Sequence, residues 1–234
     1  MKHCILALIA VAALASGPAR ADSFMPPSVT ETRSPQGTAM VTVIPAMLSC
    51  AVGEEDCEPA ARAVVERLQG PFKAGSRTVA LVNAQAPSLA LVTDDAERLL
   101  TVNDYASAGF GENVLVVYDD HGAIIARHAL GDFLPDDYIN GLPRTASTLR
   151  WWAAPPVIEP GTHIATISLH LVGPEPWGGA GKALALRLDL DTGHIERPSG
   201  PAWEAALNCA RAHAWLVPDD AAVRQREHFR KLCR

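Results

Sequence analysis

Apolar and polar residues alternate along much of the middle of this chain, in the manner of β-strands. Every second residue from position 184 to 190 is leucine, while Arg187 and Asp189 fall on the opposite side. A period of two predicts a strand with one buried face and one solvent-facing face. Residues 113–118 (NVLVVY) are instead apolar at nearly every position, which predicts a central strand that is covered on both faces.

The segment 114–129 carries a hairpin signal. Its two apolar runs are joined by Asp119-Asp120-His121-Gly122, a turn of the acid-then-glycine type. Further β-rich runs are expected to form strands at residues 38–48, 77–83, 89–93, 98–102 and 162–172. The sequence therefore predicts a mainly β fold of antiparallel sheets, arranged as a partial propeller or as a sandwich, with short helices and a helical C-terminus.

In three stretches the apolar residues recur at the spacing of a helix. Residues 58–69 fit one helix face, and 63–68 also fit a strand; Pro59 near the start and Gly70-Pro71 after the stretch favour a short helix. A second short helix is expected at 132–142. After position 200, apolar residues share a helical face, and a last helix is expected from Asp219 or Asp220 towards Cys233.

The N-terminus has the pattern of a secretory signal peptide. A basic start precedes an apolar run and the small-residue sequence Ala19-Arg20-Ala21, so cleavage is expected after Ala21. The run is shorter than the roughly 20 residues that span a bilayer, so no transmembrane anchor is expected. We expect a signal peptide at 1–21, a flexible N-terminal segment at 22–36, a mainly β domain at 37–198, and a helical segment at 199–234 packed on that domain.

Cleavage of the signal peptide and export are expected to change the net charge of the chain and the oxidation state of its cysteines. Removing residues 1–21 takes away Lys2 and Arg20 but no acid, which lowers the net charge from −6 to −8. An acidic chain is a poor partner for nucleic acid, whose binding depends on Lys and Arg. The four remaining cysteines predict two disulfides in an oxidising compartment, and the favoured pairing is Cys50–Cys57 with Cys209–Cys233.

Several short motifs resemble known exported proteins. The strand-turn-strand piece from Leu188 to Ile195 resembles an element of bacterial β-propeller blades. The stretch 86–152, with Gly109-Phe110-Gly111 and Leu142-Pro143-Arg144, is similar to uncharacterised exported bacterial proteins. This resemblance implies a fold and not an activity, and the chain offers too few blades to close a ring.

Signatures of enzyme chemistry are weak in this sequence. There is no G-x-S-x-G nucleophile turn, and the loop ending in Gly181-Lys182 lacks the other residues of a phosphate-binding loop. His163 and His170 are expected to point to opposite faces of one strand, where they cannot share a ligand. The paired aspartates are expected to form turns and helix caps rather than a calcium site, and no cofactor or metal is expected.

Aromatic residues give the best candidates for a recognition surface. Trp177 lies in a Gly- and Pro-rich loop, and one of the adjacent Trp151 and Trp152 is expected in the core with the other exposed. Together with Tyr105 they predict an exported, non-enzymatic module that binds another envelope protein or a small ligand. The alternative is a periplasmic hydrolase whose site is assembled from residues far apart in the sequence.

Overall fold

In the part of the chain that the structure describes, twelve strands form three four-stranded antiparallel sheets, each built from four strands that are consecutive in the chain. The computed structural model describes residues 25–48, 59–70, 72–172, 184–213, 231 and 233. Sheet 1 contains β1 (Thr30–Arg33), β2 (Ala39–Ile44), β3 (Arg62–Gln69) and β4 (Phe72–Ala80). Sheet 2 contains β5 (Pro87–Val92), β6 (Leu99–Asp104), β7 (Leu115–Tyr118) and β8 (Ile124–His128). Sheet 3 contains β9 (Val157–Ile158), β10 (Ile164–Ser168), β11 (Ala185–Asp189) and β12 (Ile195–Glu196). The mainly β, antiparallel prediction is confirmed.

Sheet 1 corrects two expectations. The short helix favoured at 58–69 is wrong, because β3 occupies Arg62–Gln69. There Val65 lies opposite Val41 of β2 and Arg77 of β4, so hydrogen-bonded neighbours on both sides outweigh an ambiguous local pattern. The segment 22–36 is not loose over its whole length either, since Thr30–Arg33 pairs with β2 as β1.

Sheet 2 is the middle layer of the protein. The side chains of Leu115 and Val117 point into a core shared with sheet 3 and the helices. The alternate side chains of Val116 and Tyr118 point into a second core shared with sheet 1. The expectation of a central strand covered on both faces is confirmed, and β7 and β8 pair as the predicted 114–129 hairpin.

Strand β5 connects the three sheets, because it contacts β1 and β2 on one side and β9 on the other. It runs over six residues, so its two ends are about 17 Å apart. Tyr105 and the residues before Pro87 lie at its first end, and the turn that follows Val92 lies at the other. The two candidate sites lie at these two ends.

A short 3₁₀ helix (Ala46–Leu48) and three α-helices complete the described fold: α1 (Leu130–Phe133), α2 (Asp136–Gly141) and α3 (Pro201–His213). The single helix expected at 132–142 is divided, because Pro135 takes an extended conformation between α1 and α2. Helix α3 packs on α2, where the ring centroids of Tyr138 and Trp203 are 4.9 Å apart. A disulfide joins Cys209 of α3 to Cys233, as the favoured pairing predicted.

Some expectations concern residues outside the described part of the chain. They are the signal peptide with Ala21, the Cys50–Cys57 pair, Trp177 and the last helix from Asp219 or Asp220. None of the helices within the described ranges is both long enough and apolar enough to cross a membrane.

Candidate functional site

The turn between β5 and β6 joins all three sheets. The carboxylate of Asp94 accepts hydrogen bonds from the backbone N–H of Gln36 in the β1–β2 turn (2.7 Å) and of Gly161 in the β9–β10 turn (2.8 Å). Arg67 of β3 and Arg77 of β4 donate to the backbone carbonyls of the next two turn residues. One turn of sheet 2 is therefore held by side chains and backbone from both neighbouring sheets.

A histidine between two carboxylates forms the centre of this junction. His163, just before β10, lies with Nε2 2.7 Å from Oδ2 of Asp95 and with Nδ1 2.8 Å from Oδ1 of Asp191. Arg98 in turn donates from Nε to the same Asp191 oxygen, at 2.8 Å. Thr93 donates to the other oxygen of Asp95 at 2.6 Å, which fixes that carboxylate. We call the His163, Asp95, Asp191 and Arg98 set the histidine clamp.

The clamp shifts the titration of its own members. Partial burial opposes ionisation of Asp95, but hydrogen bonds from Thr93, the Glu97 backbone and His163 lower its pKa to about 2. Burial likewise disfavours the charged His163, yet the hydrogen bonds to Asp191 and Asp95 outweigh it and raise the pKa of the imidazole. The hydrogen bond from His163 lowers the pKa of Asp191. An imidazolium donating from both nitrogens to two carboxylates satisfies this arrangement.

The same junction contains a candidate metal-ligand set. One ligand atom each from Asp95, Glu97 and His163 lies within 4.8 Å of the other two. The side chains of His163 and Asp95 are 23% and 41% exposed, so solvent reaches the group. Imidazole and carboxylate are the usual nitrogen and oxygen ligands of protein-bound zinc.

An apolar groove opens at the other end of β5. Its volume is about 570 Å³, within the range of small-molecule sites. It is lined by Met25, Pro26, Pro27, Ala46, Met47, Pro59, Ala84, Gln85, Tyr105 and Ala106. The Tyr105 hydroxyl donates to the backbone carbonyl of Met25, which closes one side of the groove. Of the four predicted recognition residues, Tyr105 is the one whose described position lines this groove.

The two adjacent tryptophans lie elsewhere. Trp151 is fully buried in the core, where its Nε1 donates to Oδ1 of Asn103 at 3.1 Å. Trp152 is partly exposed, and its ring stacks on that of Trp151 with centroids 5.8 Å apart and planes 10° from parallel. Trp151 lies in the core as expected, whereas Trp152 is only partly exposed and packs against the same core. The two rings do not point to opposite faces, because residues 151 and 152 lie outside any regular strand.

The histidines do not converge on a nucleophile. His163 lies in the clamp, whereas His170 is buried beside the tryptophans, and its backbone N–H donates to the carbonyl of Trp151. Burial, with the charge of Arg150 adding to it, lowers the pKa of His170 and keeps the ring neutral. Among the described residues, no histidine is hydrogen-bonded to a serine or cysteine side chain.

Sequence reasoning placed Asp94-Asp95 in a turn but did not find the histidine clamp. Its two carboxylates lie 68 and 28 residues from His163, so the sequence around the histidine carries no trace of them. A usable signal does exist, because alternate turns of an antiparallel meander lie at the same end of the sheet. The histidine before β10 and the Asp-rich turn after β11 share that end of sheet 3, whereas the turn after β5 belongs to sheet 2 and reaches them only through the packing of the two sheets.

Comparison with protein-family models finds no family that matches this sequence, and comparison with curated proteins finds no matching relative.

Proposed function

We propose that this chain is an exported, non-enzymatic binding protein that takes a small apolar ligand in the groove beside Tyr105. The observation that carries the proposal is the groove itself, with its volume of about 570 Å³ and its lining of methionine, proline, alanine and tyrosine. Such sites combine an apolar wall with a few polar groups that orient the ligand. Gln85 and the Tyr105 hydroxyl supply those polar groups here.

The groove combines walls held by main-chain hydrogen bonds with adaptable side chains at its rim, and this combination favours ligand binding. The backbone N–H of Ala46 donates to the carbonyl of Gln85 at 2.8 Å, and that of Tyr105 donates to Ala86 at 2.9 Å, so main-chain bonds hold two walls together. Met25 and Met47 at the rim are 80% and 59% exposed. Methionine is unbranched and polarisable, so these side chains can adapt to apolar ligands of different shape.

The location follows from the signal-peptide pattern and from the disulfide between Cys209 and Cys233, a bond that persists in oxidising compartments. The three successive four-stranded meanders are also the repeat unit expected of a partial propeller. We therefore infer a periplasmic or secreted protein with three propeller-like blades.

Binding of an uncharged apolar dye tests the proposal. N-phenyl-1-naphthylamine, which fluoresces in apolar surroundings, is titrated into the chain lacking residues 1–21. We expect saturable binding with one site per chain, weakened at least about fivefold by Met47→Gln, since burying a methionine side chain contributes about 1.5–3 kcal/mol. Val157→Gln is the matched control, because Val157 is 57% exposed on β9, away from the groove.

Two results would refute the proposal. One is the absence of saturable dye binding by the folded chain. The other is equal weakening by Met47→Gln and Val157→Gln, which would show that the dye coats exposed apolar residues without using the groove. Circular dichroism of both variants establishes that they remain folded.

A further inference from the structure

We propose that Asp95, Glu97 and His163 bind one zinc ion at the junction of sheets 2 and 3. The three ligand atoms lie within 4.8 Å of one another, so small side-chain rotations bring them to the spacing of about 3.4 Å that tetrahedral bonds of about 2.0–2.2 Å require. This site is distinct from the groove, which lies at the other end of β5, and the proposal does not depend on the groove binding anything.

The imidazole is already oriented as a metal ligand. Metal-binding histidines almost always use their second ring nitrogen to donate to a carboxylate or a carbonyl. Nδ1 of His163 lies 2.8 Å from Asp191, and Arg98 donates to the same Asp191 oxygen. Nε2 is thus the atom left to face the ion, and the tautomer that ligation needs is the one Asp191 favours.

The carboxylate of Asp95 is oriented in the same way. Its Oδ1 accepts hydrogen bonds from the Thr93 hydroxyl at 2.6 Å and from the Glu97 backbone at 3.0 Å. Its Oδ2 is left to face His163 Nε2, at 2.7 Å. A zinc ion takes the place of the single proton shared by these two atoms, with a small opening of the pair, and that proton is released to solvent.

The ligand chemistry selects the class of ion. One imidazole and two carboxylates suit zinc and similar divalent transition metals, whereas calcium and magnesium take mostly oxygen ligands. Three protein ligands leave one position of a tetrahedral zinc for water. The partial exposure of His163 and Asp95 gives the ion a path from solvent.

A substitution of Glu97 distinguishes a zinc site from a purely structural ion pair. The hydrogen bonds of the histidine clamp use the side chains of His163, Asp95, Asp191 and Arg98, but only the main chain of Glu97. Removing the Glu97 carboxylate therefore leaves the clamp in place and takes away one zinc ligand. Glu31, an exposed glutamate on β1, provides the matched control.

The experiment is a zinc titration of the untagged, chelator-treated chain lacking residues 1–21. Isothermal titration calorimetry measures the affinity, and native mass spectrometry measures the number of ions bound per chain. We expect one zinc ion per chain, no response to magnesium, and affinity unchanged in Glu31→Ala. Glu97→Ala and His163→Gln should each weaken binding about tenfold or more, as loss of groups around a metal does. Glu97→Ala should keep the melting temperature of the metal-free chain, which shows that the clamp is intact.

Either of two outcomes overturns the proposal. Absence of zinc binding by the wild-type chain leaves the cluster as an ion pair alone. Zinc binding that is equally strong in Glu97→Ala or His163→Gln places the ion at other residues. Neither outcome bears on dye binding in the groove, so the two proposals fail separately.

Discussion

Replacing Gly193 by alanine should destabilise the protein far more than an ordinary surface substitution. Gly193 lies in the β11–β12 turn with φ +73°, and its carbonyl is 2.9 Å from Nε2 of His128 on β8. A Cβ atom at this position would lie 2.1 Å from Cβ of Ala126 and 3.5 Å from its Cα. The turn of sheet 3 therefore approaches the backbone of sheet 2 more closely than any side chain allows.

Two costs add at this position. Alanine in the left-handed region costs about 1–2 kcal/mol. Forcing an extra carbon into a closely packed contact costs a further 1–3 kcal/mol or so, because Ala126 sits on a strand and cannot rotate away. We expect a total loss of about 2–5 kcal/mol, a large part of the roughly 5–15 kcal/mol that stabilises a typical domain.

Guanidinium denaturation followed by tryptophan fluorescence measures this loss, since Trp151 is fully buried in the native state. Gly37→Ala is the matched control: Gly37 has φ +72°, but a Cβ added there would meet nothing within 4 Å, so this variant incurs the backbone cost alone. Gly131→Ala in α1 has neither cost and should be neutral or slightly stabilising. Equal destabilisation by Gly193→Ala and Gly37→Ala would refute the close approach of sheets 2 and 3.

Three further changes test other parts of the structure. Replacing Cys209 and Cys233 together by serine opens a loop with a sequence separation of 24, and thermal unfolding should show a loss of about 3.5 kcal/mol; an unchanged melting temperature would contradict the bond. Trp151→Phe removes the hydrogen bond to Asn103 and should cost about 1–3 kcal/mol in denaturant unfolding, whereas a neutral result would show that this bond contributes nothing. Because burial lowers the pKa of His170 below 6.5, the unfolded chain binds a proton more readily and His170 destabilises the fold as the pH drops through 6.5. The stability advantage of wild type over His170→Gln should therefore shrink between about pH 7.5 and 5.5, and an advantage that grows in that interval would contradict a neutral, buried ring.

Local pattern was enough to predict much of the fold. The hairpin of β7 and β8 was predictable because a short acid-and-glycine turn and two apolar runs specify it within one short stretch. Strand β3 was not, because residues 63–68 fit both a helix and a strand, and only the pairing with β2 and β4 decides between them. The two faces of β7 enter different cores, which explains why that strand lacks alternation.

The candidate sites were less predictable than the fold. Tyr105 was identified as a candidate recognition residue, but the groove beside it also depends on Met47, which the pattern placed at the end of a strand, and on Pro59, which it placed near the start of a helix. The histidine clamp depends on contacts between turns of different sheets. Such contacts arise only when the chain folds, so no local pattern in the sequence indicates them. Each of its aspartates has an adequate local explanation as a turn residue, which hides the longer-range one.

The β5–β6 turn also determines whether the three sheets unfold separately or together. Proteins made of successive similar units usually lose them one at a time, since each unit touches only its neighbours. Here the turn around Asp94 is bonded to the first and third sheets at once, so releasing either sheet breaks contacts made by the second. We expect slow amide exchange with one common protection value across β2, β6 and β10, the behaviour of a single cooperative unit. A turn of a few residues thus couples the unfolding of all three sheets.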